Sequence, residues 1–146
     1  MGYYINMQYS KIMGVDYGDA RIGVALSDLM QITASPFEVF ENKGIEHCVA
    51  HLCELINQNM VSTVVFGLPI NMDGTEGERA IVTREVASEL AKKTAIKIAF
   101  QDERLTSLEA DEILKEAKLS WQERKKLIDK VSAALILESY LSRKER

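Results

Sequence analysis

The sequence predicts an α/β domain: a mixed five-stranded sheet, led by an antiparallel meander, with helices on both faces. Three observations predict it. Two β-rich runs near the start, 11–17 and 21–28, are separated only by Gly18-Asp19-Ala20, and so short a connection joins antiparallel neighbours. Further on, apolar strand-like runs alternate with amphipathic helical stripes, the pattern of αβ units packed on a shared sheet. Finally, three later segments begin with Ser or Thr three residues before Glu, a spacing that satisfies the orphan amides of a helix's first turn.

Taken in order, Ser35–Phe40 supplies a third strand after the hairpin, and residues 46–59 form a helix that buries Val49, Leu52 and Ile56. Thr63–Phe66 is apolar throughout and therefore central. Thr75-Glu76-Gly77-Glu78 opens a helix with Val82, Val86 and Leu90 on one stripe, and Ala95–Phe100 follows as the fifth strand. Thr106-Ser107-Leu108-Glu109 opens another helix, and Ser120-Trp121-Gln122-Glu123 opens the last, which runs to about Leu141. The order βββ-α-β-α-β-α-α excludes a Rossmann mononucleotide half, which starts βαβ. One domain is expected over 11–142, with 1–10 an unassigned leading extension.

Composition narrows the function. With 146 residues, 47% apolar and 27% charged, the chain is long enough for one real core and is neither disordered nor low-complexity. No apolar run approaches the roughly 18–20 residues of a membrane span, and no export signal is legible, so a cytoplasmic protein is the expectation. The net charge of −4 rules out a global field that draws in nucleic acid. Locally, however, Lys115–Lys130 carries six Lys/Arg against three acids.

His47, Cys48, His51 and Cys53 spell a zinc-like cluster. On one helix Cys53 points away from both histidines, so a tetrahedral site does not form. The two thiols, about 8 Å apart at Cα, are also beyond disulfide reach. Two reduced thiols are expected.

The chemistry lies with three acids. Asp16 ends an otherwise buried strand, where a carboxylate loses hydration and needs a cation or a donor. Holding the turn amides of Gly18 to Ala20 is the competing role. Glu103 follows the fifth strand at its C-terminal end, where α/β sheets collect ligands, or else pairs with Arg104. Asp129 heads the stripe Asp129, Ala133, Ile136, Tyr140 on the last helix, or else pairs with Lys125 one turn back. Three acids meeting at one place repel unless divalent cations neutralise them, and oxygen-only ligands favour Mg2+ or Mn2+. Two such ions would hold the attacking water and the leaving oxygen of a phosphodiester.

Gly14-Val15-Asp16-Tyr17-Gly18, Arg21-Ile22-Gly23-Val24-Ala25, the run Gly67–Glu76, Asp102-Glu103-Arg104-Leu105-Thr106-Ser107, and Asp129 with Ala133–Leu137 and Tyr140-Leu141 together resemble the YqgF family. Those proteins are described as Holliday-junction-resolvase-like and as pre-16S ribosomal RNA nucleases. The resemblance spans about Lys11 to Leu141. It implies an RNase H-like fold, a metal-dependent endonuclease acting on structured nucleic acid, and Asp16, Glu103 and Asp129 at the family's acidic positions. Ribosomal precursor RNA is the favoured substrate and a four-way DNA junction the alternative.

Further candidates for nucleic-acid contact are Arg21 and Arg104 beside the acids, Asn71 in the loop 67–74, and Lys125, Lys126 and Lys130. Trp121 either stacks a base or packs as a staple at its helix start. Loop 67–74 lacks the Gly-Lys-Ser/Thr ending of a Walker motif. Two other classes compete. Asp16-Tyr17-Gly18 also resembles the first phosphate motif of sugar kinases and actin-like proteins, but those enclose a nucleotide between two such domains. A non-catalytic RNA- or protein-binding module is the third.

Overall fold

The computed structural model describes residues 9–103, 112 and 115–144. Met1–Gln8, Arg104 and the start of the helix expected from Thr106 lie outside the described residues. Strands β1 (Lys11–Tyr17), β2 (Arg21–Ser27) and β3 (Ala34–Glu41) form the expected antiparallel meander. Helix α1 (Ile45–Gln58), β4 (Val61–Leu68), α2 (Glu78–Lys93), β5 (Lys97–Asp102) and α3 (Trp121–Lys144) follow. β4 pairs parallel to β1 and β5 parallel to β4, giving the order β3-β2-β1-β4-β5. This is the RNase H-like arrangement that the resemblance implies.

Alternation along the strands builds two cores. Met13, Val15, Val24, Leu26, Val64 and Phe66 face α1 and α2 on one side. Ile12, Ala25 and Val65 face Ala133, Ile136, Leu137 and Tyr140 of α3 on the other. The predicted stripe of the last helix is therefore its sheet-facing stripe. Three strand glycines, at 14, 23 and 67, let α3 sit close. A Cβ on Gly14 would lie 2.8 Å from the Ala133 carbonyl oxygen, and one on Gly67 would lie 2.3 Å from Ile136 Cδ1. No helix among the described residues is long and apolar enough to cross a membrane.

Two helix starts differ in outcome. α3 opens on the expected capping box: the Glu123 amide donates to Ser120 Oγ (3.2 Å), and the Ser120 amide donates to Glu123 Oε1 (3.3 Å). α2 does not open at Thr75. Its cap is Gly77, without a side-chain cap bond. Thr75 and Glu76 are spent elsewhere. Thr75 Oγ1 donates to Asp73 Oδ1 (2.6 Å), and Glu76 bridges back to Ile70 and takes two bonds from Arg84 (2.7 and 2.8 Å). Local turn chemistry has outcompeted the capping box.

The four zinc-like residues do not converge. His51 pairs with Glu38 and packs edge-on to Phe40. Cys48 is fully buried, and burial pushes its thiol up to about 12, which keeps it protonated and inert.

Candidate active site

The site forms where β1 and β5 end on the α3 side of the sheet. Asp16 is opposite Gly23 in the β1–β2 register, so it shares the face of Gly14 and Ala25, which α3 covers. It does not hold the hairpin together. The Gly18 amide donates to the Arg21 carbonyl (3.0 Å), and Asn42 donates from its side chain to the Gly18 carbonyl (2.8 Å) and from its amide to the Ala20 carbonyl (2.9 Å). Asp16 remains half-buried. Burial pushes its carboxyl above the usual range and the nearby Asp129 charge adds to this, while the Arg79 charge pulls it down.

β5 runs two residues beyond its expected end, to Asp102, which puts Glu103 directly on the strand tip. Gln101 pairs with Gly67 and Asp102 with Leu68, so the two faces alternate and Asp102 and Glu103 part company. Glu103 turns to the Asp16 side. Its Oε2 lies 2.6 Å from where a Gly67 Cβ would stand, so a side chain at 67 would push this carboxylate out of its present position. Burial, and then repulsion from Asp16, raises its pKa to about 8, with Arg79 opposing.

Asp129 lies on α3 above Gly23, whose missing Cβ would meet the Asp129 carbonyl oxygen at 2.6 Å. Its carboxylate takes a 2.5 Å bond from Arg21 Nε rather than pairing with Lys125. Asp16 is thus electrostatically in reach of both other acids. Among the described residues, no three acidic, histidine or cysteine side chains are already drawn into one metal-sized cluster.

Beside the acids opens a cleft of about 420 Å³ lined by Pro69, Ile70, Asn71, Gly77, Arg79 and Glu103, together with Glu78. Asn71 reaches it, but its side-chain amide donates to Thr75 Oγ1 (2.9 Å) and braces the turn. Lys125, Lys126 and Lys130 are exposed on α3. Arg79 is the residue that sequence reasoning missed. It lies near Asp19 (4.0 Å), and its charge acts on Asp16 and on Glu103 at once. No local motif marks it, because its place depends on how α2 meets the strand ends.

Glu103 gives a pH prediction. Its folded pKa of about 8 stands above its unfolded value of 4.5, so the folded state binds the extra proton between the two. The stability that goes with that proton is complete below pH 4.5 and is lost as pH rises through about 8. In metal-free protein, Glu103→Gln should therefore raise Tm at pH 8 and leave it nearly unchanged near pH 4.5. A Tm difference independent of pH would show that Glu103 is not held in this environment.

A family model described as "RuvX: Holliday junction resolvase" matches residues 10–143. The chain belongs to the RuvX family. This is the YqgF family of the sequence resemblance. A RuvX relative from Syntrophomonas wolfei, named "Putative pre-16S rRNA nuclease", is 44% identical over 131 residues, covering 90% of this chain and 93% of that protein. One of the same name from Pelotomaculum thermopropionicum is 45% identical over 137 residues, covering 93% and 89%. Among solved structures, T. thermophilus RuvC in complex with a Holliday junction substrate aligns with TM-score 0.58 at 15% identity, covering 92% of this chain and 96% of that one. The fowlpox virus Holliday junction resolvase aligns with TM-score 0.54 at 14% identity, covering 91% and 99%. At these identities the two structures show that the RuvX chain shares their fold.

Proposed function

We propose that this RuvX-family chain is a divalent-metal-dependent endonuclease that hydrolyses phosphodiester bonds in structured nucleic acid, its substrate the 5′ end of precursor 16S rRNA in the cytoplasm. The observation that carries the reading is the Asp16–Glu103 pair: two half-buried carboxylates that repel each other from the ends of β1 and β5, on either side of β4, with Asp129 near Asp16 and a cleft alongside. Such a pair is costly unless cations neutralise it. Its donors are hard oxygens, and the space left by Gly67 admits the Glu103 carboxylate, so the residues fit Mg2+ or Mn2+.

Asp16, Glu103 and Asp129 would hold the metal. When bound, such ions supply positive charge, lower the pKa of an attacking water and stabilise the leaving oxygen. The chain's own residues do the rest. Arg21 holds Asp129 in the free protein through its 2.5 Å bond, which Asp129 gives up on turning to the metal. Arg79 offsets the charge of Asp16 and Glu103 in the free protein and presents its guanidinium to a phosphate entering the cleft. The turn from Ile70 to Glu76 forms a wall of that cleft, braced through Glu76 to Arg84, whose guanidinium packs 4.8 Å from the Phe100 ring centre.

The test is cleavage of a pre-16S leader RNA and of a synthetic four-way DNA junction, each with and without Mg2+ or Mn2+. Metal-dependent cutting of the RNA is expected. Cutting of the junction alone would transfer the activity to DNA, and binding without cutting under any divalent ion would make the chain a binding module. Arg79 has its own expected result. Arg79→Ala should raise KM about ten-fold with little loss of kcat, since a charged hydrogen bond to substrate is removed. It should also flatten the salt dependence of binding by about one phosphate contact. An unchanged salt slope would remove Arg79 from the substrate.

A further inference from the structure

Trp121 opens α3, and the capping box of Ser120 and Glu123 fixes the backbone on which it stands. A staple would bury the ring. Instead Trp121 is 63% exposed, and the Lys125 ammonium sits over it, 5.2 Å from the ring centre. An indole held in water gives up the burial that makes tryptophan valuable to a core, and exposed aromatic rings of this kind are typical of contact surfaces.

Its position relative to the acids gives the ring a ligand. Trp121, Lys125 and Asp129 are spaced i, i+4, i+8, so each stands about 6 Å further along the axis and only about 40° around it. Ala133, the next member, is fully buried against the sheet. The series therefore winds from the sheet, through the Asp129 carboxylate, past an exposed ammonium, to a flat aromatic surface about 12 Å along the axis and about 80° around it from Asp129. That span covers a few nucleotides of a stacked strand. Lys126 and Lys130 add exposed positive charge to the same helix. A phosphate-attracting ammonium between an aromatic face and a carboxylate is the chemistry of a single-strand track: charge follows the backbone and the ring takes a base.

We propose that Trp121 and Lys125 form a stacking subsite for an unpaired nucleobase, which anchors a single-stranded stretch of the substrate a few nucleotides from the acids. The subsite rests on the nuclease reading for its role, but its existence can be tested without cleavage. Trp121 is the sole tryptophan of the chain, so its fluorescence reports on this position alone.

The experiment titrates the full chain in EDTA with a duplex RNA carrying a single-stranded overhang, and with the same duplex made blunt. Indole fluorescence and the anisotropy of a label on the RNA are read together. The expected result is quenching by the overhang RNA only. Trp121→Ala should weaken overhang binding about ten-fold and leave blunt-duplex binding unchanged, with Trp121→Phe retaining most of the affinity. Lys125→Ala should lower affinity and salt dependence together. Overhang binding without quenching, or an unchanged Kd in Trp121→Ala, would overturn the subsite and leave the ring to a protein contact. Quenching and the ten-fold loss, in a chain that cuts nothing with Mn2+, would refute the nuclease reading while supporting the subsite.

Discussion

Asp16→Asn is expected to lower metal-dependent cleavage by at least about a hundred-fold while leaving the fold as stable as before, or more so. The size of the loss follows from the role proposed for the carboxylate. Groups that merely orient a metal ligand already cost about 10–100-fold when removed, and Asp16 would be a ligand itself. The stability effect follows from its surroundings. Burial above all, and the Asp129 charge, disfavour the ionised form and together outweigh the pull of Arg79, so an amide of the same shape sits there at no greater cost. The sign should reverse with metal. Mn2+ should raise the wild-type Tm, because an ion that binds only the folded state stabilises it. The Asn variant should respond far less. A variant that cuts as well as wild type would remove Asp16 from the chemistry, and one that loses several degrees of Tm would show that the carboxylate is structural.

Gly23→Ala is expected to damage stability and activity together. The added Cβ would stand 2.6 Å from the Asp129 carbonyl oxygen and 3.6 Å from Ala133 Cβ. The closer contact is with backbone, so no side chain can rotate away, and the helix itself must rise from the sheet. Overpacking of this kind costs about 1–3 kcal/mol, several degrees of Tm for a chain of this size. The displaced turn is the one that carries Asp129 and its bond to Arg21. A shift approaching 1 Å in a catalytic constellation costs about 100-fold in rate, so a loss of ten-fold or more is expected on top of the fall in Tm. Gly77→Ala is the stability control. Its Cβ would meet nothing closer than 3.6 Å, so Tm should fall by no more than the modest cost of alanine at a helix cap. If Gly23→Ala keeps wild-type Tm and rate, the close seat of α3 on β2 is not what places Asp129.

Much of this architecture is legible in the residues because its determinants are local. The three-residue gap between β1 and β2 admits only an antiparallel neighbour, and the Ser120–Glu123 spacing announces α3 within a residue. The stripe from Asp129 to Tyr140 shows which side of α3 meets the sheet, and alternation separates Glu103 from Asp102. What the sequence hides is long-range. Thr75 and Glu78 spell a helix cap, yet Asp73 claims the Thr75 hydroxyl first and Gly77 becomes the cap. Arg79 has no motif, since its charge matters only once α2 lies against the ends of β1 and β5. The strand glycines are visible as glycines, but that Gly67 makes room for Glu103 depends on a partner 36 residues away in the chain. Trp121 reads as a staple because the rule that buries such residues is local, and its exposure is set by what α3 does not pack against.

The claim at the centre is that Asp16, Glu103 and Asp129 close around hard cations. Crystals of the wild-type protein soaked in Mn2+, with data collected for the anomalous signal of manganese, test it most directly. The expected result is a peak within about 2–2.5 Å of carboxylate oxygens of both Asp16 and Glu103, with Asp129 turned from Arg21 toward it. A soaked crystal with no peak at these carboxylates, or with manganese bound only elsewhere on the surface, would contradict it.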